Sequence, residues 1–217
     1  MLIFDMDGTL WVTTEKTKEA SDIIVRKYNT LKEITKEQIE KGMGLGSKEV
    51  AKIYMPYLEL EESLKYLEEI NQKTIELIGD SGAKLYEGVE ETIKILNKHY
   101  KLAIVTNNND DYVKALFKST GLEEYFTDYI GAAGYNITKS EAISTIINRN
   151  KEEHNYYIGD IEKDKIAAEQ AGVTFIHAKY GFEPNVKTNL YINNIKELPS
   201  LLDNKKKIWN SNLFLYN

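Results

Sequence analysis

Short apolar runs recur along the chain, and longer amphipathic or polar stretches separate them. Most of the runs are three or four residues long and rich in β-branched or aromatic side chains, which is typical of strands buried on both faces of a parallel sheet. The predicted strands are residues 2–4, 102–105, 129–131, 156–158 and 173–176, with 190–192 as an edge strand.

Between most of these strands, apolar residues follow a helical spacing. The predicted helices are 89–99, 111–120, 139–150 and 163–171. Gly121 and Gly172 follow two of them at the position where a glycine often ends a helix. This alternation of strands and helices predicts an α/β fold: a doubly wound parallel sheet with right-handed crossovers.

The segment 15–81 contains no convincing strand, and its apolar residues keep a helical spacing throughout. A helical block between the first two strands of a sheet is typical of a separate small domain. We therefore predict a core domain, 1–14 and 82–217, and a helical cap domain, 15–81. The expected hinges are 12–15 and 80–83, the second containing an Asp-Ser-Gly loop signal.

Length, composition and charge exclude several kinds of partner and chemistry. With 217 residues the chain is long enough for a core and an insert, and a net charge of −6 argues against nucleic acid or an anionic membrane as partner. There is no cysteine, which excludes disulfides and thiolate chemistry. No secretory signal and no apolar run of about 18 residues is apparent, so we expect a cytoplasmic protein.

Two carboxylates directly follow the first predicted strand, in the segment Asp-Met-Asp-Gly-Thr-Leu at 5–10. In an open α/β sheet the ligand site lies beyond the carboxyl ends of the strands. Carboxylates as close as Asp5 and Asp7 repel each other unless they share a cation or a proton. The pair indicates a metal site, an acid/base pair or both, and a plain turn after a strand is the alternative.

Three further strand ends carry polar residues. Thr106 and Asn107 follow the second strand, where a hydroxyl and exposed amides can hold a phosphoryl oxygen, although such residues also form ordinary turns. Lys139 opens the helix after the third strand, where a solvated surface charge is the alternative. Asp160 ends the strand 156–158 and Asp164 follows one helical turn later, an arrangement that a simple helix N-terminus also explains.

Together, these strand ends resemble the haloacid dehalogenase superfamily, and the likeness covers essentially the whole chain. The order of the motifs is Asp5 and Asp7, then Thr106, then Lys139, then Asp160 and Asp164. The Tyr-Glu-Gly-Val segment at 86–89 and the Ala-Gly-Val segment at 171–173 are similar to the phosphoglycolate-phosphatase-type branch with a helical cap.

The resemblance implies a phosphatase that hydrolyses a small phosphorylated metabolite through an aspartyl-phosphate intermediate. It makes Asp5 the nucleophile and Asp7 the acid and base. It assigns Mg²⁺ to Asp5, the backbone carbonyl of Asp7 and Asp160, with Asp164 acting behind them or through water.

The same resemblance assigns phosphate binding to Thr106, Asn107 and Lys139. Lys139 would offset negative charge on the transferring phosphoryl group and on Asp5. Two departures from the family pattern bear on this assignment. Ser140, where proline is frequent, follows the lysine, and Trp-Val-Thr-Thr at 11–14 replaces a frequent Asp-Ser pair near the cap hinge.

Two other functions remain open at this point. A sugar-phosphate mutase of the same superfamily is disfavoured because its cap histidine is missing near Thr17. A non-catalytic phosphate-binding regulatory module is disfavoured because Asp5 and Asp7 are both present.

Three features stand outside the motifs. The glycine-rich loop 42–48 is interpreted as a bend in the cap that faces the active site, where Lys41 or Lys48 would touch substrate. The many tyrosines are interpreted as core or cap side chains. The basic and aromatic tail after Leu202 is interpreted as a terminal helix or arm, and the oligomeric state is left open.

Overall fold

The computed structural model describes residues 1–82 and 84–204. The strands are β1 (Leu2–Phe4), β2 (Trp11–Val12), β3 (Lys84–Leu85), β4 (Leu102–Thr106), β5 (Asp128–Gly131), β6 (Tyr156–Gly159), β7 (Thr174–Ala178) and β8 (Tyr191–Ile192). The helices are α1 (Thr14–Lys27), α2 (Lys36–Gly42), α3 (Ser47–Tyr54), α4 (Leu60–Ser81), α5 (Val89–Asn97), α6 (Asp110–Thr120), α7 (Ala132–Tyr135), α8 (Lys139–Asn150) and α9 (Glu162–Gln170). Short 3₁₀ turns cover Glu123–Tyr125 and Ile195–Glu197.

Six of these strands form one sheet in the order β5-β4-β1-β6-β7-β8, and every pairing in it is parallel. The strand order reverses at β1, which lies between β4 and β6. Phe4 and Ile158 face one apolar layer, whereas Ile3 and Tyr157 face the other. Burial on both faces explains the continuous apolar runs, and the predicted α/β class is confirmed.

The strand and helix predictions are met with shifts of one or two residues at several ends. Predicted helix 111–120 begins at Asp110, where Asn109 accepts a hydrogen bond from the amide of Tyr112. The sequence did not predict the antiparallel ribbon of β2 and β3, because two residues per strand give no alternating pattern.

Helices α1 to α4 form a block with an apolar cluster of its own, which includes Ile24, Ile34, Ala51 and Ile70. The long helix α4 extends beyond this block, because Ile78 near its carboxyl end joins the cluster of the sheet. The last turns of α4 thus pack on the core before the predicted hinge at 80–83. The division into two domains at this position stays a prediction.

Among the described residues, no helix combines the length and the apolar character needed to cross a bilayer. The basic and aromatic tail lies outside the described residues from 205 onward.

Candidate active site

The polar residues that follow the parallel strands meet at one edge of the sheet. Asp5 follows β1, Thr106 ends β4, Asp160 follows β6, and Lys139 begins α8 after β5. All four side chains are buried. The sheet topology thus brings together residues up to 155 positions apart, because parallel strands end at the same edge.

Lys139 lies between two carboxylates at the centre of this edge. Its Nζ is 2.9 Å from Oδ1 of Asp5 and 2.6 Å from Oδ1 of Asp164. Burial alone would lower the pKa of Lys139, but the charges of Asp164 and Asp5 outweigh that effect and raise the pKa above its ordinary value. Lys139 is therefore a buried cation, and the surface-charge alternative is wrong.

Asp164 supports the neighbouring backbone as well as the lysine. Its Oδ2 accepts hydrogen bonds from the amides of Asp160, at 3.0 Å, and Ile161, at 3.2 Å. Both carboxylate oxygens of Asp164 therefore have protein partners, and the side chain fixes the turn that carries Asp160.

Asp160 is held from two sides. Its Oδ1 accepts from the Thr9 hydroxyl at 3.3 Å, and its Oδ2 accepts from the amide of Phe182 at 2.7 Å. Two glycines let the chain approach it closely. A Cβ atom on Gly8 would lie 2.1 Å from Oδ2 of Asp160, and one on Gly181 would lie 2.3 Å from its Cβ. A side chain at either position would displace the carboxylate.

The acidic cluster has an unbalanced charge. Carboxylate oxygens of Asp5, Asp160 and Asp164 lie within 4.8 Å of one another, and only Lys139 supplies a neighbouring buried cation among the described residues. Burial raises the pKa of Asp5 to about 7 despite the nearby Lys139, and burial together with Asp164 and Asp5 raises the pKa of Asp160. These carboxylates ionise with difficulty unless a further positive charge joins them.

The residues fit a divalent cation as that further charge. Oδ2 of Asp5 is buried and has no hydrogen-bond partner among residues 1–82 and 84–204, which is costly for a carboxylate oxygen. Hard cations such as Mg²⁺ take carboxylate oxygens as ligands. The unpaired oxygen of Asp5 and the adjacent Asp160 are therefore suitable donors for such an ion.

Asp7 occupies a different environment from the acidic cluster. Its Oδ1 accepts from the hydroxyls of Thr13 and Tyr112, each at 2.7 Å, and these hydroxyls are 2.8 Å apart. Burial raises the pKa of Asp7, and the two hydroxyl donors oppose that shift. The carboxyl group is thus held in one orientation, which suits an acid and base acting at a fixed point.

Sequence reasoning missed both hydroxyl partners of Asp7. The tyrosines as a group are predicted to pack in the core or the cap, and the ring of Tyr112 does pack edge-on against Trp11, with ring centroids 5.0 Å apart. The hydrogen bond from its hydroxyl is the part that this prediction lacks. Thr13 lies where the family often has the Asp-Ser pair, and its position six residues after Asp7 was the available signal.

The side chains of Thr106 and Asn107 have different hydrogen-bond partners. The buried Thr106 hydroxyl accepts from the amide of Asn108 at 3.2 Å, which leaves its own proton available to a ligand. The Asn107 side chain instead donates to the carbonyl of Gly44 at 2.8 Å. Asn107 therefore joins the loop after α2 to the sheet edge.

A small chamber lies between this loop and the sheet edge, and Asp7, Thr106 and Asn107 form part of its wall. The loop faces the site as predicted, but the two predicted lysines do not line this chamber. Lys41 is 64% exposed and pairs with Glu37 at 2.7 Å, and Lys48 is exposed. Charged side chains on α2 and α3 point to solvent because the apolar side of each helix packs in the cap.

Solved structures of other proteins share this fold. A predicted phosphoglycolate phosphatase from Haemophilus somnus superposes with a TM-score of 0.80 at 19% identity, covering 93% of this chain and 97% of that one. A predicted phosphatase from Clostridium acetobutylicum gives a TM-score of 0.76 at 21% identity, with coverage of 93% and 97%.

Sequence relatives have related names. A phosphoglycolate phosphatase of Photobacterium profundum is 27% identical over 194 residues, covering 83% of each chain. The pyrophosphatase PpaX of Listeria welshimeri is 30% identical over 177 residues, covering 76% of this chain and 78% of that protein. The family model described as haloacid dehalogenase-like hydrolase matches residues 2–178. With this match and the six-stranded parallel sheet, the chain belongs to the haloacid dehalogenase-like hydrolase family.

Proposed function

We propose that this hydrolase is a Mg²⁺-dependent phosphatase that acts on a small phosphorylated metabolite through a phosphorylated Asp5. The observation that carries the proposal is the environment of Asp5: a buried carboxylate with one oxygen bound to Lys139 and the other without a partner in the described part of the chain. The names of the relatives support a small phosphate compound as substrate, since both phosphoglycolate and pyrophosphate are of this kind.

In the first step a carboxylate oxygen of Asp5 forms a bond to phosphorus while the bond from phosphorus to the leaving oxygen breaks. Asp7 gives its proton to the leaving oxygen, so the product departs as a neutral hydroxyl. The proton of Thr106 and the charge of Lys139 meet the negative charge that spreads over the phosphoryl oxygens.

In the second step Asp7, now a carboxylate, removes a proton from water as the water oxygen attacks phosphorus. The bond between phosphorus and Asp5 breaks, and inorganic phosphate leaves. The hydroxyls of Thr13 and Tyr112 stabilise the carboxylate form of Asp7, because each donates to its Oδ1.

Asp5 and Asp160 would hold the metal directly, together with the backbone carbonyl of Asp7. Bound Mg²⁺ supplies positive charge beside the transferring phosphoryl group. Asp164 would act behind these ligands, because both of its oxygens already accept hydrogen bonds from Lys139 and the backbone.

Chelation of divalent metal is expected to reduce phosphate release to the uncatalysed background, and Mg²⁺ is expected to restore it. Ca²⁺ should inhibit, because its larger and looser coordination draws both oxygens of Asp5 onto the ion. The measurement is inorganic phosphate released from p-nitrophenyl phosphate and from a panel of phosphorylated metabolites. Undiminished turnover after exhaustive chelation would contradict the metal requirement, and no release from any ester would favour a non-catalytic module.

Gly8→Ala is expected to weaken Mg²⁺ affinity by about tenfold or more, because its Cβ would push the Asp160 carboxylate from its place. Gly121→Ala is the matched control. Gly8 has a φ of +83° and Gly121 a φ of +71°, but nothing lies within 4 Å of a Cβ on Gly121.

Both alanine variants therefore carry the cost of a left-handed backbone, about 1 kcal/mol. Only Gly8→Ala should change the Mg²⁺ concentration for half-maximal activity. Equal metal affinities in the two variants would mean that the close approach of Gly8 to Asp160 has no role in metal binding.

A further inference from the structure

The chamber between the loop after α2 and the sheet edge has a distinctive wall. Asp7 is the only charged side chain among the described residues that line it. The other polar side chains of the cap that face it are uncharged: Thr17, Ser47, Tyr54, Asn71 and Thr74. Because Asp7 lines this space, a leaving group that takes its proton would meet one carboxyl group and several neutral hydrogen-bonding groups.

Two residues of this wall are buried and carry a hydroxyl that faces the chamber. Tyr54 is 3% exposed and Thr17 is 8% exposed, and neither hydroxyl forms a hydrogen bond with another of the described residues. The ring of Tyr54 is fixed directly against the backbone of α2, since a Cβ on Gly42 would lie 2.8 Å from it. Both hydroxyls are accessible from the chamber, so their hydrogen-bonding capacity is available to a ligand or to water.

The half-buried side chains of Asn71 and Ser47 extend the same set, and they too form no hydrogen bond with the part of the chain that the structure describes. An amide and three hydroxyls can each donate and accept, which matches the hydroxyl groups of an alcohol. Thr74 is excluded from this set because its hydroxyl donates to the carbonyl of Ile70 at 2.8 Å.

We propose that the chamber of Thr17, Ser47, Tyr54 and Asn71 selects phosphate esters of small neutral polyols over esters whose leaving group is an anion. This inference rests on the proposed phosphatase function. Asp7 becomes a carboxylate when it gives its proton to the leaving oxygen. A carboxylate or second phosphate in the chamber would then lie near it, and the described wall offers no cationic side chain to offset the repulsion. A polyol places hydroxyls on the unpaired donors and acceptors instead.

The size of the chamber sets the size of the leaving group. The chamber is small, with a volume of about 70 Å³, which suits a leaving group of a few heavy atoms such as glycerol.

A matched pair of substrates tests the proposal on the unaltered protein. Glycerol 3-phosphate and 3-phosphoglycerate differ in one position, a hydroxymethyl group in the first and a carboxylate in the second. We expect kcat/KM to be about tenfold or more higher for glycerol 3-phosphate. Equal values, or a preference for 3-phosphoglycerate or pyrophosphate, would overturn the proposal and would favour stabilisation of an anion by the amides at the start of α3.

Two variants test whether residues of the chamber wall determine the preference between these substrates. Tyr54→Phe removes one hydroxyl and should lower kcat/KM for glycerol 3-phosphate about threefold to tenfold. Asn71→Lys introduces a cation and should shift the ratio of the two substrates toward 3-phosphoglycerate. The control Tyr57→Phe removes a hydroxyl that bonds the amide of Lys32 on the cap surface, and it should leave the ratio unchanged.

The outcomes separate the two proposals. If no ester or anhydride releases phosphate in the presence of Mg²⁺, the phosphatase function itself fails. If p-nitrophenyl phosphate is hydrolysed but 3-phosphoglycerate is preferred, only the proposed selectivity fails. If Asn71→Lys folds and leaves the substrate ratio unchanged, the chamber does not control the choice of leaving group.

Discussion

Asp5→Asn is expected to lower kcat about 10⁴-fold or more for every phosphate ester, because an amide cannot form the acyl phosphate. Asparagine has the same shape as aspartate, and its carbonyl can still accept the hydrogen bond from Lys139. Removing the charge also relieves the repulsion from Asp164 and Asp7 that helps to raise the pKa of Asp5. The variant should therefore unfold at a temperature no lower than that of the unaltered protein.

The measurement is steady-state phosphate release, with thermal unfolding recorded in parallel. Asp111→Asn is the control, because Asp111 is an exposed carboxylate on α6 that pairs with Lys114 at 2.9 Å. Its turnover should stay unchanged. Steady-state hydrolysis by Asp5→Asn at a rate near that of the control would rule out covalent catalysis by Asp5.

Asp7→Asn is expected to slow the hydrolysis of an alkyl phosphate about 10²-fold to 10⁴-fold, the usual contribution of a general acid and base. A poor leaving group needs the proton that Asp7 donates. The p-nitrophenolate group leaves without one, so the first step should be much less affected for p-nitrophenyl phosphate. The second step still lacks its base, and the phosphorylated protein should accumulate.

Two measurements check this prediction. The first is the ratio of the rates of the first step for an alkyl and an aryl phosphate, taken from single-turnover kinetics, and the second is the mass of one added phosphoryl group after rapid mixing. Tyr112→Phe should move the rate ratio in the same direction by a smaller factor, because it removes one of the two hydroxyls that orient Asp7. Equal slowing of both substrates by Asp7→Asn, with no phosphorylated species, would contradict a role in proton transfer.

The candidate site was predictable as far as its residues follow strands. Asp5, Thr106 and Asp160 each come at the end of a short apolar run, and a single sequence displays that pattern directly. Once the runs are parallel strands, their carboxyl ends must share an edge. Their placement at one edge follows from the fold class, whereas their chemical roles stay proposals.

The partners of Asp7 were not predictable in the same way. Tyr112 lies on α6 at an apolar helical spacing, which also describes a tyrosine buried only for its ring. Whether its hydroxyl contacts Asp7 depends on how α6 lies across the sheet, because the two residues are 105 positions apart in the chain. The position of Tyr54 was not predictable either, because it lines the chamber together with Asp7 only through the placement of α3 beside the sheet edge.

Three features can be inferred from the amino-acid sequence alone: the α/β class, the helical insertion after the first strand and the strand ends that carry the polar motifs. These features are local: periodicity and residue type over a few positions suffice to specify them. Which charged side chains lie close together became known only from the tertiary structure. Lys139 is buried between Asp5 and Asp164, whereas Lys41 and Lys48 lie outside the chamber. Such contacts depend on the relative placement of whole elements, and the free energy of a buried charge is set by neighbours that are distant in the chain.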